Sequence, residues 1–207
     1  MKKVSIINYG LGNLFSIQNA CSNVGINSII TNDKKIINKS DAIILPGVGA
    51  FEHAMVSLEK LDLIDSIISF AKSERPLIGI CLGMQLLFEK SYEFGLHHGL
   101  GLIPGNVIKL DVNYPYTVPH VQWNRLNFTN EKKHLIFNGI NERQYFYFVH
   151  SFICKPTNNL EIATTTNYDS IDFCSSVINK NIYGFQFHPE RSAEAGLIIY
   201  KNLKKII

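Results

Sequence analysis

Short, largely apolar runs separated by turn residues and helix-period stretches recur through the first half of this chain, and no other feature restricts its fold as much. They lie at 4–8 (Val-Ser-Ile-Ile-Asn), 28–31, 41–45 (Asp-Ala-Ile-Ile-Leu) and 77–80. Strands of this kind are covered on both faces, and a strand-helix alternation achieves that by laying helices over both sides of a parallel sheet. The intervening segments suit the role: Ile17, Ala20, Cys21 and Val24 share one helix face, and 52–72 and 82–92 carry helical patterns. The second half is β-rich, with strand-like stretches at 107–110, 145–149, 161–166, 173–178 and 182–187. It also has a hairpin turn at Asn179-Lys180-Asn181 and a closing helix over 193–205. No repeat, linker or low-complexity segment divides the halves. The expected architecture is therefore α/β, one domain over 1–207, with a mostly parallel central sheet, helices on both faces and an antiparallel extension.

Composition narrows the function. Of 207 residues 46% are hydrophobic and 18% charged, enough for a packed core. Lys+Arg total 20 against 17 Asp+Glu, a net charge of +3, and no basic run exceeds Lys-Lys, so no electrostatic footprint for nucleic acid or an anionic membrane exists. The first apolar run breaks at Asn8 without a cleavage-type site after it, so it reads as a strand, and no stretch approaches about 18 apolar residues. A cytoplasmic location is expected. Cys21, Cys81, Cys154 and Cys174 lie far apart with no paired spacing, which predicts free thiols and neither a disulfide frame nor a metal site.

Chemistry concentrates in three segments. Gly79-Ile80-Cys81-Leu82-Gly83 falls between a predicted strand and a predicted helix, the cysteine form of a nucleophile elbow: flanking glycines permit a tight turn, and a helix N-terminus favours thiolate. By itself Cys81 could equally be a buried thiol, which is the reading given to the other three. Gly184-Phe185-Gln186-Phe187-His188-Pro189-Glu190 supplies a base, His188, and an orienting carboxylate, Glu190. Catalytic groups gather at the carboxyl ends of parallel strands, so the distance along the chain from Cys81 is no obstacle. A zinc-deaminase reading of His-x-Glu fails for want of Pro-Cys-x-x-Cys. Pro46-Gly47-Val48-Gly49, by itself an ordinary turn, could donate N–H groups to an oxyanion together with the N–H of Leu82. Nucleophile, base, orienter and donors on one scaffold imply acyl transfer.

These residues resemble the class I, triad-bearing glutamine amidotransferases over essentially the whole chain. The segments that carry the resemblance are Tyr9-Gly10-Leu11-Gly12-Asn13, Pro46 to Phe51, Gly79 to Phe88, Pro119-His120 with Trp123-Asn124, Phe148-Val149-His150-Ser151, and Gln186 to Ser192. Pro-Gly-Val-Gly-Ala-Phe and Pro-His-x-x-Trp-Asn favour the branch serving histidine biosynthesis over those serving anthranilate or GMP synthesis. The resemblance implies Cys81 as nucleophile, His188 as base and Glu190 as orienter, with the Val48 peptide and Leu82 N–H as oxyanion donors. It adds Gly49, Gln85, Glu93, Ser151 and Phe152 as holders of the amino and carboxylate groups of L-glutamine, with no cofactor. It implies a heterodimer in which ammonia passes to a cyclase subunit of (β/α)₈-barrel type making imidazole glycerol phosphate. Asn13, His120, Gln122, Trp123, Asn124 and Arg191 would lie toward that partner, and a peptide flip at Gly47-Val48 would switch the oxyanion donor on.

Three positions depart from the branch pattern: Asn8 where Asp is usual, Val121-Gln122 in place of Met-Gly or Ile-Gly, and Arg191 where Lys is common. Gln for Gly adds bulk, and Arg differs from Lys in donor geometry. A paralogue that feeds ammonia to a surface-sugar amidotransferase is the alternative they raise. Trp123 and Asn124 also fit core and turn roles, His53, His97, His98 and His134 read as surface or satisfied histidines, and His120 and His150 could shape either interface or pocket. A non-catalytic binding subunit is opposed by the intact Cys81, His188 and Glu190. A stand-alone cysteine hydrolase would need no partner for full activity.

Overall fold

Both faces of the parallel sheet are covered, and the alternation of side chains along its strands shows how. In the computed structural model, which describes residues 2–113, 115–129 and 134–207, the chain runs β1 (Lys3–Ile7), α1 (Leu14–Asn23), β2 (Asn27–Thr31), α2 (Lys34–Lys39), β3 (Ala42–Leu45), α3 (Phe51–Lys60), α4 (Ile64–Lys72), β4 (Leu77–Ile80). Ala42, Ile44, Ile78 and Ile80 pack with α1 and with α6 (Ala193–Ile206), whereas Ile43, Leu45 and Leu77 pack with α2, α3 and α4 on the opposite face. Strands buried this way have no polar face to alternate, which is why they read as unbroken apolar runs. No helix among the described residues is long and apolar enough to cross a membrane.

The remaining elements are α5 (Leu82–Leu86), β5 (Phe88–Ser91), β6 (His97–His98), β7 (Ile103–Lys109), β8 (His120–Arg125), β9 (Asn127–Phe128), β10 (Tyr145–His150), β11 (Phe152–Pro156), β12 (Ile162–Tyr168), β13 (Ile171–Asn179) and β14 (Ile182–Phe185). The main sheet has the order β2-β1-β3-β4-β14-β13-β11-β7-β5-β6, with β12 and β9 branching from β13. β14 joins β4 in parallel, and the β13–β14 hairpin begins the antiparallel extension. Among the described residues β10 pairs with β8 alone, antiparallel, as a separate two-stranded ribbon.

Three expectations need correction. The helix expected over 52–72 is two helices. Leu63 N–H bonds Leu58 C=O and Asp62 N–H bonds Glu59 C=O, with Asp62 at φ 55, a left-handed stop sealed by the buried Leu58 and Leu63. The helix expected over 82–92 ends at Leu86, because the Leu86 and Leu87 carbonyls accept from Leu100, Leu102 and Ile103; the chain leaves as β5 along β7. The stretch at 145–149 forms a strand, but in the ribbon instead of the main sheet.

Candidate active site

Cys81 sits where β4 turns into α5, at φ 55 and ψ −112, a backbone conformation strained for any residue with a side chain. The turn is locked from several sides. Cys81 N–H donates to Phe185 C=O at 2.7 Å, tying the elbow to β14, and the Cys81 carbonyl accepts from Met84 and Gln85. The flanking glycines are steric necessities. A Cβ on Gly79 would lie 2.7 Å from Gly83 O, and one on Gly83 would lie 1.9 Å from Leu45 O. Gly83→Ala is therefore expected to cost at least about 1–3 kcal/mol through backbone displacement. A lowered urea midpoint checks this, and an unchanged midpoint would contradict the packing described.

The turn after β14 carries the candidate base, His188. His188 N–H donates to Tyr147 C=O on β10 at 2.9 Å, and Ser192 Oγ donates to His188 C=O at 2.7 Å. With its backbone clamped, the buried ring places Nδ1 2.7 Å from Glu190 Oε1, leaving Nε2 without a partner among the described residues. Burial alone would lower the His188 pKa. The neighbouring Cys81, then the hydrogen bond and charge of Glu190, outweigh burial and raise it to about 10. These neighbours favour the protonated ring. By contrast, burial pushes the Cys21 thiol up to about 12 and those of Cys154 and Cys174 above their ordinary value, so these three are poor nucleophiles.

Cys81 and His188 line one open cleft of about 390 Å³ together with Asn13, Val48, Gly49, Leu82, Gln85, Glu93, Ser151, Phe152 and Arg191. A volume of that order suits a small-molecule site. The cleft thus brings together the nucleophile, the base, both oxyanion candidates and all five candidate substrate contacts that the sequence nominates. Leu82 opens α5, so its N–H has no partner within that helix. Gly47 is wedged in place, a Cβ there lying 2.7 Å from Tyr9 Oη, while Tyr9 Oη donates to Pro46 C=O at 2.6 Å. Val48 beyond it is 36% exposed and Gly49 takes φ +95. Glu93 is already engaged, accepting from Phe51 N–H at the start of α3. The Gln85 amide NH₂ donates to Phe152 C=O and Gln186 Oε1, both at 3.1 Å, which leaves its carbonyl oxygen as the group it can offer to an ammonium.

The six residues expected to face a partner separate into three groups. Gln122, Trp123 and Arg191 are exposed, Trp123 at 48%, and lie outside or on the rim of the cleft. Asn13 and Asn124 are half-buried. His120 is a correction: it is fully buried, sandwiched between Tyr168 and Phe148 at ring separations of 4.1 and 5.3 Å, and cannot touch a partner. Trp123 and Asn124 are neither core nor turn residues; both stand on β8.

Sequence reasoning assigns no role to Gln186, whose Nε2 lies 3.8 Å from Cys81 Sγ and whose side chain is fully buried. The available signal is a polar side chain between Phe185 and Phe187 in an apolar strand end, which must find a partner. Val149, whose carbonyl accepts from Cys81 Sγ at 3.7 Å, contributes only backbone and leaves no signal.

The family model described as "Glutamine amidotransferase class-I" matches residues 5–203. Proteins named imidazole glycerol phosphate synthase subunit HisH are similar over nearly their whole length. That of Sulfurimonas denitrificans is 45% identical, covering 98% of this chain and 97% of its own. That of Bacillus cytotoxicus is 44% identical, covering 99% and 95%, and that of Aquifex aeolicus 42%, covering 97% and 95%. Among solved structures, PurLQS from Thermotoga maritima superposes with a TM-score of 0.75 at 18% identity, covering 99% of this chain and 98% of that one. A crystal structure of a glutamine amidotransferase gives 0.71 at 16%, covering 97% of each chain. At these identities the two structures speak to the fold.

Proposed function

This chain belongs to the class-I glutamine amidotransferase family, and from that premise we infer that residues 1–207 act as the glutaminase subunit of an imidazole glycerol phosphate synthase, hydrolysing L-glutamine to glutamate and ammonia. The observation that carries this reading is one cleft lined by a cysteine on a strained elbow and a histidine whose far nitrogen is held 2.7 Å from a buried carboxylate.

In this reading glutamine lies with its amino and carboxylate groups against Gly49, Gln85, Glu93 and the Ser151-Phe152 segment, and with its side-chain amide over Cys81. The Cys81 thiolate adds to the amide carbon, and the oxygen becomes an anion held by Leu82 N–H and the Val48 peptide. The His188 imidazolium gives its Nε2 proton to the amide nitrogen, the C–N bond breaks, and ammonia leaves a γ-glutamyl thioester. Water then loses a proton to His188 and adds to the thioester. The C–S bond breaks, and glutamate leaves with the thiolate-imidazolium pair restored. Glu190 orients the ring and stabilises its positive form throughout.

Ammonia released into water is protonated and lost as a nucleophile, so a partner must dock beside the cleft to use it. We place that partner, a (β/α)₈-type cyclase, on the exposed face carrying Gln122, Trp123 and Arg191, with Asn13 and Asn124 beside it. The names of the relatives favour histidine biosynthesis. The exposed Gln122 on β8 and the exposed Arg191, both departures from the branch pattern, favour a surface-sugar amidotransferase as partner instead.

The test is glutamate formation by the purified chain, by itself and with the same organism's cyclase plus its ribonucleotide substrate. Stimulation of about 100-fold is expected, the scale of a few kcal/mol of differential binding. No stimulation, with Cys81 still reactive, would transfer the assignment to the sugar amidotransferase partner.

A further inference from the structure

Two buried histidines outside the proposed triad form a hydrogen-bond series whose direction is fixed at every link. His150 Nδ1 lies 3.0 Å from Phe152 C=O, which can only accept, so the proton is on Nδ1 and Nε2 is an acceptor. His120 Nδ1, 3.0 Å from that Nε2, must therefore donate, and His120 Nε2 must accept from Asn124 Nδ2, again at 3.0 Å. Asn124 Nδ2 also faces Asn167 C=O at 3.4 Å, which fixes its amide in the donating sense. Burial lowers the His120 pKa to about 4. Burial also lowers that of His150, aided by the charges of His120 and His188 and opposed by the hydrogen bond to Phe152, to about 3. Both rings are neutral at physiological pH, as the series requires.

The series ends on the cleft. The Phe152 carbonyl that takes the His150 proton also takes a Gln85 N–H, and His150, Ser151, Phe152 and Gln85 all line the cleft. It begins on β8, the exposed strand of the ribbon, where His120 pairs in register with His150. We propose that His120 and His150 are positioning residues which, through Asn124 at one end and the Phe152 carbonyl at the other, hold the cleft wall in the shape that accepts the amino-acid end of the substrate. The pair therefore governs substrate affinity and leaves the reactivity of Cys81 alone. This rests on the glutaminase reading above.

The direction of the links supplies a test at the β8 end of the series. In Asn124→Asp the carboxylate can only accept, so His120 must either take a second proton in a fully buried site or reverse its tautomer and confront the His150 acceptor with another lone pair. Neither is compatible with the series. In His150→Phe the ring remains and every hydrogen bond is lost, whereas His150→Asn keeps a donor near the position of Nδ1 for the Phe152 carbonyl.

Two reagents separate affinity from thiol reactivity on the full-length chain. 6-Diazo-5-oxo-L-norleucine must seat its amino-acid end before it alkylates Cys81, and iodoacetamide need not. We expect the half-saturating diazoketone concentration to rise about tenfold in Asn124→Asp and in His150→Phe, the effect of losing a hydrogen bond or two. The iodoacetamide rate should stay within about twofold, and His150→Asn should recover most of the loss. Equal loss with both reagents, or no change in Asn124→Asp, would overturn the proposal; since Asn124 is only half-buried on β8, that variant decides the matter even if His150→Phe does not fold. Wild-type Cys81 that reacts with iodoacetamide but not with the diazoketone would overturn the glutaminase reading and this inference with it.

Discussion

Cys81→Ala is expected to remove glutamate formation almost entirely, by roughly 10⁴-fold or more, because no other group can form the thioester. The size of the loss follows from how little else is available. The other three thiols are buried, and burial raises each of them above its ordinary pKa. A water attacking the amide without the sulfur would face the full barrier of amide hydrolysis with only oxyanion donors to help. The fold should survive, since Sγ makes only long contacts, 3.7 Å to the Val149 carbonyl and 3.8 Å to Gln186 Nε2, and alanine meets the same backbone strain at φ 55 as cysteine. Glutamate released by the variant, measured beside its circular dichroism spectrum, checks both statements. Product formation at the wild-type rate would remove Cys81 from the mechanism.

Glu190→Gln should cost about 10²–10⁴ in kcat, the range for neutralising the orienting carboxylate of a triad. Glu190 has no exposed side-chain surface, and its second oxygen has no partner among the described residues, so water does not share its charge. Burial lowers the His188 pKa, whereas Cys81 and Glu190 raise it, to about 10 together. Removing the Glu190 charge and weakening its hydrogen bond leaves burial less opposed, so the pKa falls and the imidazolium is lost at lower pH. The alkaline limb of the diazoketone reaction with Cys81 should therefore move down in the variant. A limb at the wild-type pH, or one moved up, would show that Glu190 does not set the charge of this ring.

Much of the site is legible in the sequence because its residues are forced. Gly79 and Gly83 leave no room for a Cβ, and the strand before Cys81 is apolar on both faces, so the elbow appears in the sequence as a local pattern. His-Pro-Glu is also local, since the orienter is two residues from the base. What the sequence hides is set by contacts distant along the chain. The helix after Cys81 carries an adequate helical pattern to residue 92, yet ends at Leu86 because Leu100, Leu102 and Ile103 take the carbonyls that would continue it. β8 gives no strand signal because one of its faces is open: Val121 and Trp123 are exposed apolar residues on a strand that, among the described residues, pairs only with β10. His120 reads as a partner contact because nothing local reveals that Tyr168 and Phe148 will enclose it.

The pairing of β4 with β14 sets a timetable. In the order of synthesis the cysteine of the elbow comes 104 residues before Phe185, the carbonyl that anchors it, and His188 follows in the turn after that strand. At about 5–20 residues per second the thiol exists for roughly 5–20 s on the ribosome with neither its strained backbone nor its base. A nascent chain interrupted before residue 185 carries Cys81 as an ordinary thiol, without the anchored elbow or His188, so an aborted translation product is not expected to hydrolyse glutamine.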